Sequence, residues 1–157
     1  MDVAGSPARL RIPAHWGHDL IVETADEAIV SSTFVRHCRG AVEKPAGALL
    51  AAAAEQVRAY FSRRLRHFDL PLAPLGTPFQ QAVWALVAEL SFGEFVSYAD
   101  VARGAGRPLA HRGVAAAMRE TPIALFIPAH RVVGSDGRIR GASPLSMRAR
   151  LAAFERQ

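Results

Sequence analysis

Residues 68–76 read Phe-Asp-Leu-Pro-Leu-Ala-Pro-Leu-Gly, and with prolines at 71 and 74 no regular helix can run through them. Whatever this chain folds into, it does so as two parts joined by an extended connector. At 157 residues and 16.9 kDa there is room for one ordinary domain or two small ones. Half the residues are hydrophobic and 21% are charged, which excludes a disordered or collagen-like chain.

The part before the connector alternates short apolar runs with polar breaks. Leu10–Ile12, Leu20–Val22 and Ala28–Val35 are rich in β-branched residues and predict strands. Pro45 and Gly47 then open a segment, Ala48–Leu65, in which Leu49, Leu50, Ala53, Val57, Tyr60 and Phe61 recur at helical spacing. Residues 1–72 are expected to form a small N-terminal α/β domain.

Beyond the connector, Thr77 before Pro78 predicts an N-cap, and Phe79, Val83, Leu86, Val87 and Leu90 supply the buried stripe of a helix from Pro78 to about Leu90. Phe92, Gly93 and Glu94 turn the chain into Phe95–Tyr98. Ala99–Gly104 and Ala110–Arg119 then flank the Gly106-Arg107-Pro108 break, a helix-turn-helix pattern. Ile123–Ile127 predicts a short apolar strand, and Leu145–Phe154 a closing helix. The whole is expected to be α+β, with residues 77–157 forming a mostly helical, winged-helix-like DNA-binding domain.

Charge is distributed unevenly. Residues 1–96 hold nine Lys and Arg against ten acids, whereas residues 97–157 hold ten Arg against four acids. Arginine pairs bidentately with phosphate and stacks on bases, which favours a polyanionic partner; on composition alone a solvated basic face with no partner is an equal reading. In a helix-turn-helix the second helix meets the duplex. Here it presents Ala110, His111, Arg112, Gly113, Val114 and three alanines ending at Ala117, a face of small side chains that either favours shape over base sequence or lets two helices pack closely.

The longest apolar stretch, Ala46–Ala54, is about half the roughly 20 residues a bilayer span needs. The polar N-terminal run of Asp2, Pro7 and Arg9 has no apolar core, so no secretion signal and no membrane association are expected. Cys38 is the only cysteine, which excludes an internal disulfide and a Cys-based zinc site. On these features a cytoplasmic location is expected.

From Gly76 onward the sequence resembles the O6-alkylguanine-DNA alkyltransferases. The resemblance rests on Gly76 to Trp84, on Gly93, Glu94, Ser97 and Tyr98, on Arg112, Gly113 and Val114, and on Ile127-Pro128-Ala129-His130-Arg131-Val132-Val133. Gln56–Leu72 is similar to the end of that family's N-terminal domain, and the match weakens before residue 50. The family's defining Pro-Cys-His-Arg-Val stands here as Pro128-Ala129-His130-Arg131-Val132. In the family the cysteine is activated through a histidine oriented by a glutamate and accepts the alkyl group irreversibly. His130 and Glu155 hold the positions of that pair, while Ala129 offers only a methyl.

What the resemblance implies is therefore a family member like the alkyltransferase-like proteins. Such a protein is not an enzyme, needs no cofactor, binds O6-alkylguanine in double-stranded DNA as a monomer by base flipping, and flags it for nucleotide excision repair proteins. DNA contacts are implied for Arg112, Tyr98, Gly113, Ala110, Ala117 and Arg131. A lesion pocket is implied at Pro128, Ala129, Met118, Val132 and Ser143.

The chain departs from the family at Thr121-Pro122, where Asn-Pro is usual, and in the loop over the pocket, where Ala142-Ser143-Pro144-Leu145 is one residue shorter and lacks an aromatic wall. The volume released at Ala129 and Ala142 predicts tolerance of bulky O6 groups. Two other readings of the residues are an alkyltransferase inactivated by loss of its cysteine and a sequence-specific winged-helix regulator. Some family members bind zinc in the N-terminal domain. His15, His18, His37 and Cys38 are the one cluster here to weigh for a metal, and scattered loop histidines are the plainer reading.

Overall fold

Three strands of β-branched and aliphatic residues open the chain: β1 (Ala8–Pro13), β2 (His18–Ala25) and β3 (Ala28–Arg36), antiparallel in the order β1-β2-β3. The computed structural model describes residues 7–40 and 43–157, and Asp2 of the polar N-terminal run lies outside the described residues. Asp26 and Glu27, both at positive φ, form the two-residue turn between β2 and β3, the geometry whose twist matches the strands. Leu10, Ile12, Leu20, Val22 and Ile29 are buried at 2% exposure or less and make the core face of the sheet. Helix α1 (Ala48–Phe61) buries Leu50, Ala53, Ala54, Val57 and Tyr60 at helical spacing. It ends four residues before the predicted Leu65, as Arg63 takes a positive φ just beyond it.

The connector is extended, as its prolines require, and is tied to β3. Ile29 N–H donates to Pro71 O at 2.8 Å, and Ala73 N–H donates to Ile29 O at 2.8 Å. The predicted strand at Ile123–Ile127 does not form. Leu125 turns at positive φ, and the segment makes only isolated bridges, such as Ser32 with Ile123, backed by Ser32 Oγ–H donating to Ala124 O at 2.6 Å. Leu72 and Ile123 thus cover two stretches of the β3 edge without being strands, which removes an exposed edge. The chain divides into two compact units. One runs through Leu75 and includes Pro122–Phe126; the other holds Gly76–Thr121 and Ile127–Gln157.

In the second unit α2 (Pro78–Ala88) starts at a reciprocal capping box. Gln80 N–H donates to Thr77 Oγ1 at 3.1 Å, and Thr77 N–H donates to Gln80 Oε1 at 2.9 Å. Ser97 and Asp100 repeat the device at α3 (Tyr98–Gly104), right after the two-residue β4 (Val96–Ser97). Helix α4 (His111–Arg119) completes the helix-turn-helix. A 3₁₀ turn (Ala129–Arg131) leads into β5 (Val132–Val133), parallel to β4, and α5 (Met147–Glu155) closes the unit. The fold is α+β, as the sequence predicts, and no helix among the described residues is long and apolar enough to cross a membrane.

Candidate functional site

Pro128, unable to donate a hydrogen bond, ends the preceding extended run. Arg131 N–H then closes onto Pro128 O at 2.9 Å, winding Ala129-His130-Arg131 into a single tight turn. All three side chains are buried, at 3%, 1% and 2% exposure. Two charged or ionisable groups in such a place demand partners, and Glu155 at the end of α5 supplies them. Its Oε2 lies 2.5 Å from His130 Nε2, and Arg131 Nε donates to Oε1 at 2.9 Å. Arg131 Nη2 donates to Oε2 at 3.1 Å, and the Gly93 N–H donates to Oε1 at 2.8 Å. The remaining arm of Arg131, Nη1, donates to Leu90 O at 2.6 Å.

The electrostatics follow from these contacts. Burial works against the Glu155 charge, yet the bonds from His130, Arg131 and Gly93 prevail and hold its carboxyl far below the usual carboxylate range. Burial lowers the His130 pKa and prevails over the attraction of Glu155, and Arg131 lowers it further. An ionised carboxylate only accepts, so Nε2 carries the imidazole proton and Nδ1 keeps a lone pair. The result is a neutral, oriented base next to residue 129, an arrangement able to take a proton from a neighbouring thiol or water.

Several predicted DNA contacts stand elsewhere. Arg131 is not a phosphate ligand: it is 2% exposed and spends its guanidinium on Glu155 and Leu90, so it acts as the counterion that keeps the glutamate charged. Ala117 is 1% exposed and faces inward, its carbonyl accepting the Trp84 indole N–H at 2.9 Å. Gly113 is half-buried, and a Cβ there would lie 3.1 Å from Phe79 Cε1, so its lack of a side chain serves the approach of α4 to α2. Arg112 is exposed in the first turn of α4, and Ala110, half-buried, stands at its N-cap. Tyr98 is buried at the start of α3 with its hydroxyl accepting the Arg140 N–H at 3.1 Å.

Among the predicted pocket residues, Pro128, Ala129, Met118 and Val132 are buried together in this unit, with Met118 and Val132 at 1% and 0% exposure. Ser143 is exposed, and its hydroxyl accepts the Leu145 N–H at 3.1 Å in the loop before α5. Ala142 lines a cavity of about 630 Å³ with Ile139, Pro144 and the α5 residues Ala149, Ala152 and Ala153; Ala129 is not in that lining. The sequence places Gly93 in a turn but gives no sign that its N–H donates to Glu155; the structure shows that bond, with Gly93 at a left-handed φ of 79°.

The weighed metal cluster does not assemble. His37 Nδ1 lies 2.9 Å from Asp19 Oδ1, His18 Nδ1 donates to Trp16 O at 2.9 Å, His15 packs on Trp16 and Phe61, and Cys38 is exposed. Among the described residues no three His, Cys, Asp or Glu side chains converge to hold an ion.

The family described as "6-O-methylguanine DNA methyltransferase, DNA binding domain" matches residues 78–157. The methylated-DNA--protein-cysteine methyltransferase of Methanosarcina barkeri is 47% identical over 104 residues, which span 66% of each chain. That of Mycolicibacterium paratuberculosis is 36% identical over 130 residues, 82% of this chain and 78% of the relative. The crystal structure of the Mycobacterium tuberculosis protein OGT in complex with DNA is similar at a TM-score of 0.79 and 28% identity, covering 94% of this chain and 92% of that one. These relatives correct one expectation from the sequence. The inference from Ala129 that the chain is no enzyme is overturned by the substantial identity to proteins named as methyltransferases.

Proposed function

Because the chain belongs to the O6-methylguanine DNA methyltransferase family, we propose that it recognises O6-alkylated guanine in duplex DNA, holding the flipped base against the Pro128–Val132 segment and handing the site to nucleotide excision repair proteins. The observation that carries this reading is the nearly full-length likeness to a chain solved in complex with DNA. Support comes from the exposed Arg112 on the second helix of the helix-turn-helix and from the excess of arginine in the second unit.

The physics of lesion choice is simple. Alkylation at O6 removes the N1 proton and weakens pairing, so the damaged base leaves the stack at less than the few kcal/mol an intact pair demands. Each alkyl carbon buried on arrival adds about 0.8 kcal/mol. The test is binding of the protein, as a monomer in solution, to an O6-methylguanine duplex and to its unmodified twin, with a radiolabelled methyl followed in the same samples so that binding and transfer are read separately. Tighter binding to the modified duplex supports the proposal; equal binding to both overturns it.

A further inference from the structure

The end of α1 and the chain just beyond it carry four arginines within residues 58–66 and no acid. Arg58, Arg63, Arg64 and Arg66 are all exposed, and Arg58, Arg64 and Arg66 enter no ion pair with the described residues. The negative end of the helix dipole accounts for Arg58 in the last turn. The three that follow crowd like charge onto one end of the first unit.

The backbone there is held at a cost. Arg63 N–H donates to Tyr60 O at 3.0 Å and Arg64 N–H donates to Ala59 O at 2.9 Å, the paired bonds of a Schellman helix end. Its left-handed residue is usually glycine; here it is Arg63, at φ 61°. The turn between β1 and β2 does the same with a larger side chain, placing Trp16 at φ 53°. Bulky residues persist in this region of backbone space only where their surroundings hold them, and such places gather at functional sites.

A cavity of about 390 Å³ joins these two strained points. Pro13 and Ala14 line it from the end of β1 and the turn, and Arg58, Phe61, Ser62 and Arg64 line it from the end of α1. Glu55 is the one acid in the lining, against two arginines. Rings gather at its Phe61 wall. The Trp16 ring stands edge-on to Phe61 at 5.9 Å, and the exposed His15 ring lies 5.6 Å from Phe61 and 4.6 Å from Trp16. Aromatic rings beside unpaired arginines match a nucleotide, whose base has a face to stack and whose phosphate takes the planar guanidinium fork. A duplex keeps its bases stacked inside, so the matching ligand is a strand with its bases free.

We propose that this end of the first unit binds single-stranded DNA, packing one base against Phe61 and the adjoining Trp16 and His15 rings and holding the flanking phosphates on Arg58 and Arg64. The site uses no residue of the helix-turn-helix, and it goes beyond lesion recognition without depending on it.

The test uses the full chain and a fluorescein-labelled oligothymidylate of about ten nucleotides, with anisotropy read across a salt series. Trp16→Gly, which the left-handed φ suits, is expected to bind the strand about tenfold more weakly at an unchanged salt slope, because a stacking face is lost and no phosphate contact is. Trp16→Phe keeps a stacking ring and should recover most of the loss. The double variant Arg58→Gln with Arg64→Gln is expected to lower the log K against log salt slope by about 1.4, the share of two single-strand phosphate contacts. An unmodified duplex should bind all variants within twofold of the unaltered chain. Photo-crosslinking of the unaltered chain to the same strand carrying 5-iodouracil should put adducts on His15, Trp16 or Phe61, and it decides the matter even where a variant folds poorly. Adducts confined to residues 76–157 would overturn the proposal. So would equal losses on strand and duplex, or strand binding within twofold in both Trp16→Gly and the double arginine variant. A failure to prefer alkylated duplexes would sink lesion recognition and leave these readouts untouched.

Discussion

His130 Nε2 and Glu155 Oε2 stand 2.5 Å apart with both side chains almost wholly buried, and Arg131 closes the same carboxylate from its other side. One glutamate therefore balances a neutral imidazole and a full positive charge. Glu155→Gln removes the negative member and leaves Arg131 buried without compensation, and it is expected to cost about 3–5 kcal/mol of stability. Replacing both groups, as in Arg131→Met with Glu155→Leu, should recover a large part of that loss because no charge is then stranded. Urea unfolding of Arg131→Met, Glu155→Leu and the double variant measures the coupling; additive losses would show that the charges do not support each other.

Acid should destabilise the protein in two stages. His130 has its pKa pushed down from 6.5 in the folded state. Below about 6.5 the unfolded chain gains a proton that the folded chain cannot, and stability falls as pH drops. Glu155 has its pKa lowered from 4.5, so its contribution is complete above that value and is lost as pH falls further. The urea midpoint followed from pH 7 downward should decline gently below about 6.5 and more steeply below about 4.5. In His130→Gln, which keeps a donor for Glu155, the gentle stage should flatten. An unchanged profile in that variant would assign the titration to another group.

The sequence disclosed most of the scaffold because its local signals agreed with one another. The β-branched runs became β1 to β3, Thr77-Pro78 became the start of α2, and the Gly106-Arg107-Pro108 break divided α3 from α4. The apolar run at Ile123–Ile127 misled because a buried turn and a buried short strand have the same composition, and only the left-handed Leu125 separates them. Arg131 was misjudged for a related reason. Arginine beside a DNA-binding motif reads as a phosphate ligand, and nothing nearby in sequence reveals that a glutamate 24 residues away draws it inward. Ala117 could not be oriented either, since an all-alanine stretch has no polar side to mark solvent, and it was Trp84 that claimed its face.

Gly76 ends the connector where the chain passes over the Trp84 ring. A Cβ there would lie 2.5 Å from Cζ3 and 2.6 Å from Cη2 of a side chain that is 2% exposed and pinned by its indole N–H to Ala117. The ring cannot swing aside without breaking that bond, so Gly76→Ala is expected to destabilise by about 1–3 kcal/mol. Tryptophan fluorescence should shift at the same time, with Trp84→Phe as the reference. A variant as stable as the parent would mean that the connector can lift off the ring.

Arg112 and Arg138 are both exposed arginines of the second unit, yet they are expected to differ in what they do. Arg112 opens the second helix of the helix-turn-helix, where a side chain enters the duplex, whereas Arg138 sits on the loop that follows β5. If Arg112 fills the space left by an extruded nucleotide, Arg112→Ala should weaken binding to an O6-methylguanine duplex by about 1.5 kcal/mol or more. Arg138→Ala should cost about 0.5 kcal/mol or less, the usual cost of one surface charge. Arg112→Lys keeps the charge but not the planar guanidinium, and it should recover only part of the loss. Anisotropy titrations at a fixed salt concentration measure all three variants. Equal weakening by Arg112→Ala and Arg138→Ala would reduce Arg112 to a general electrostatic contact.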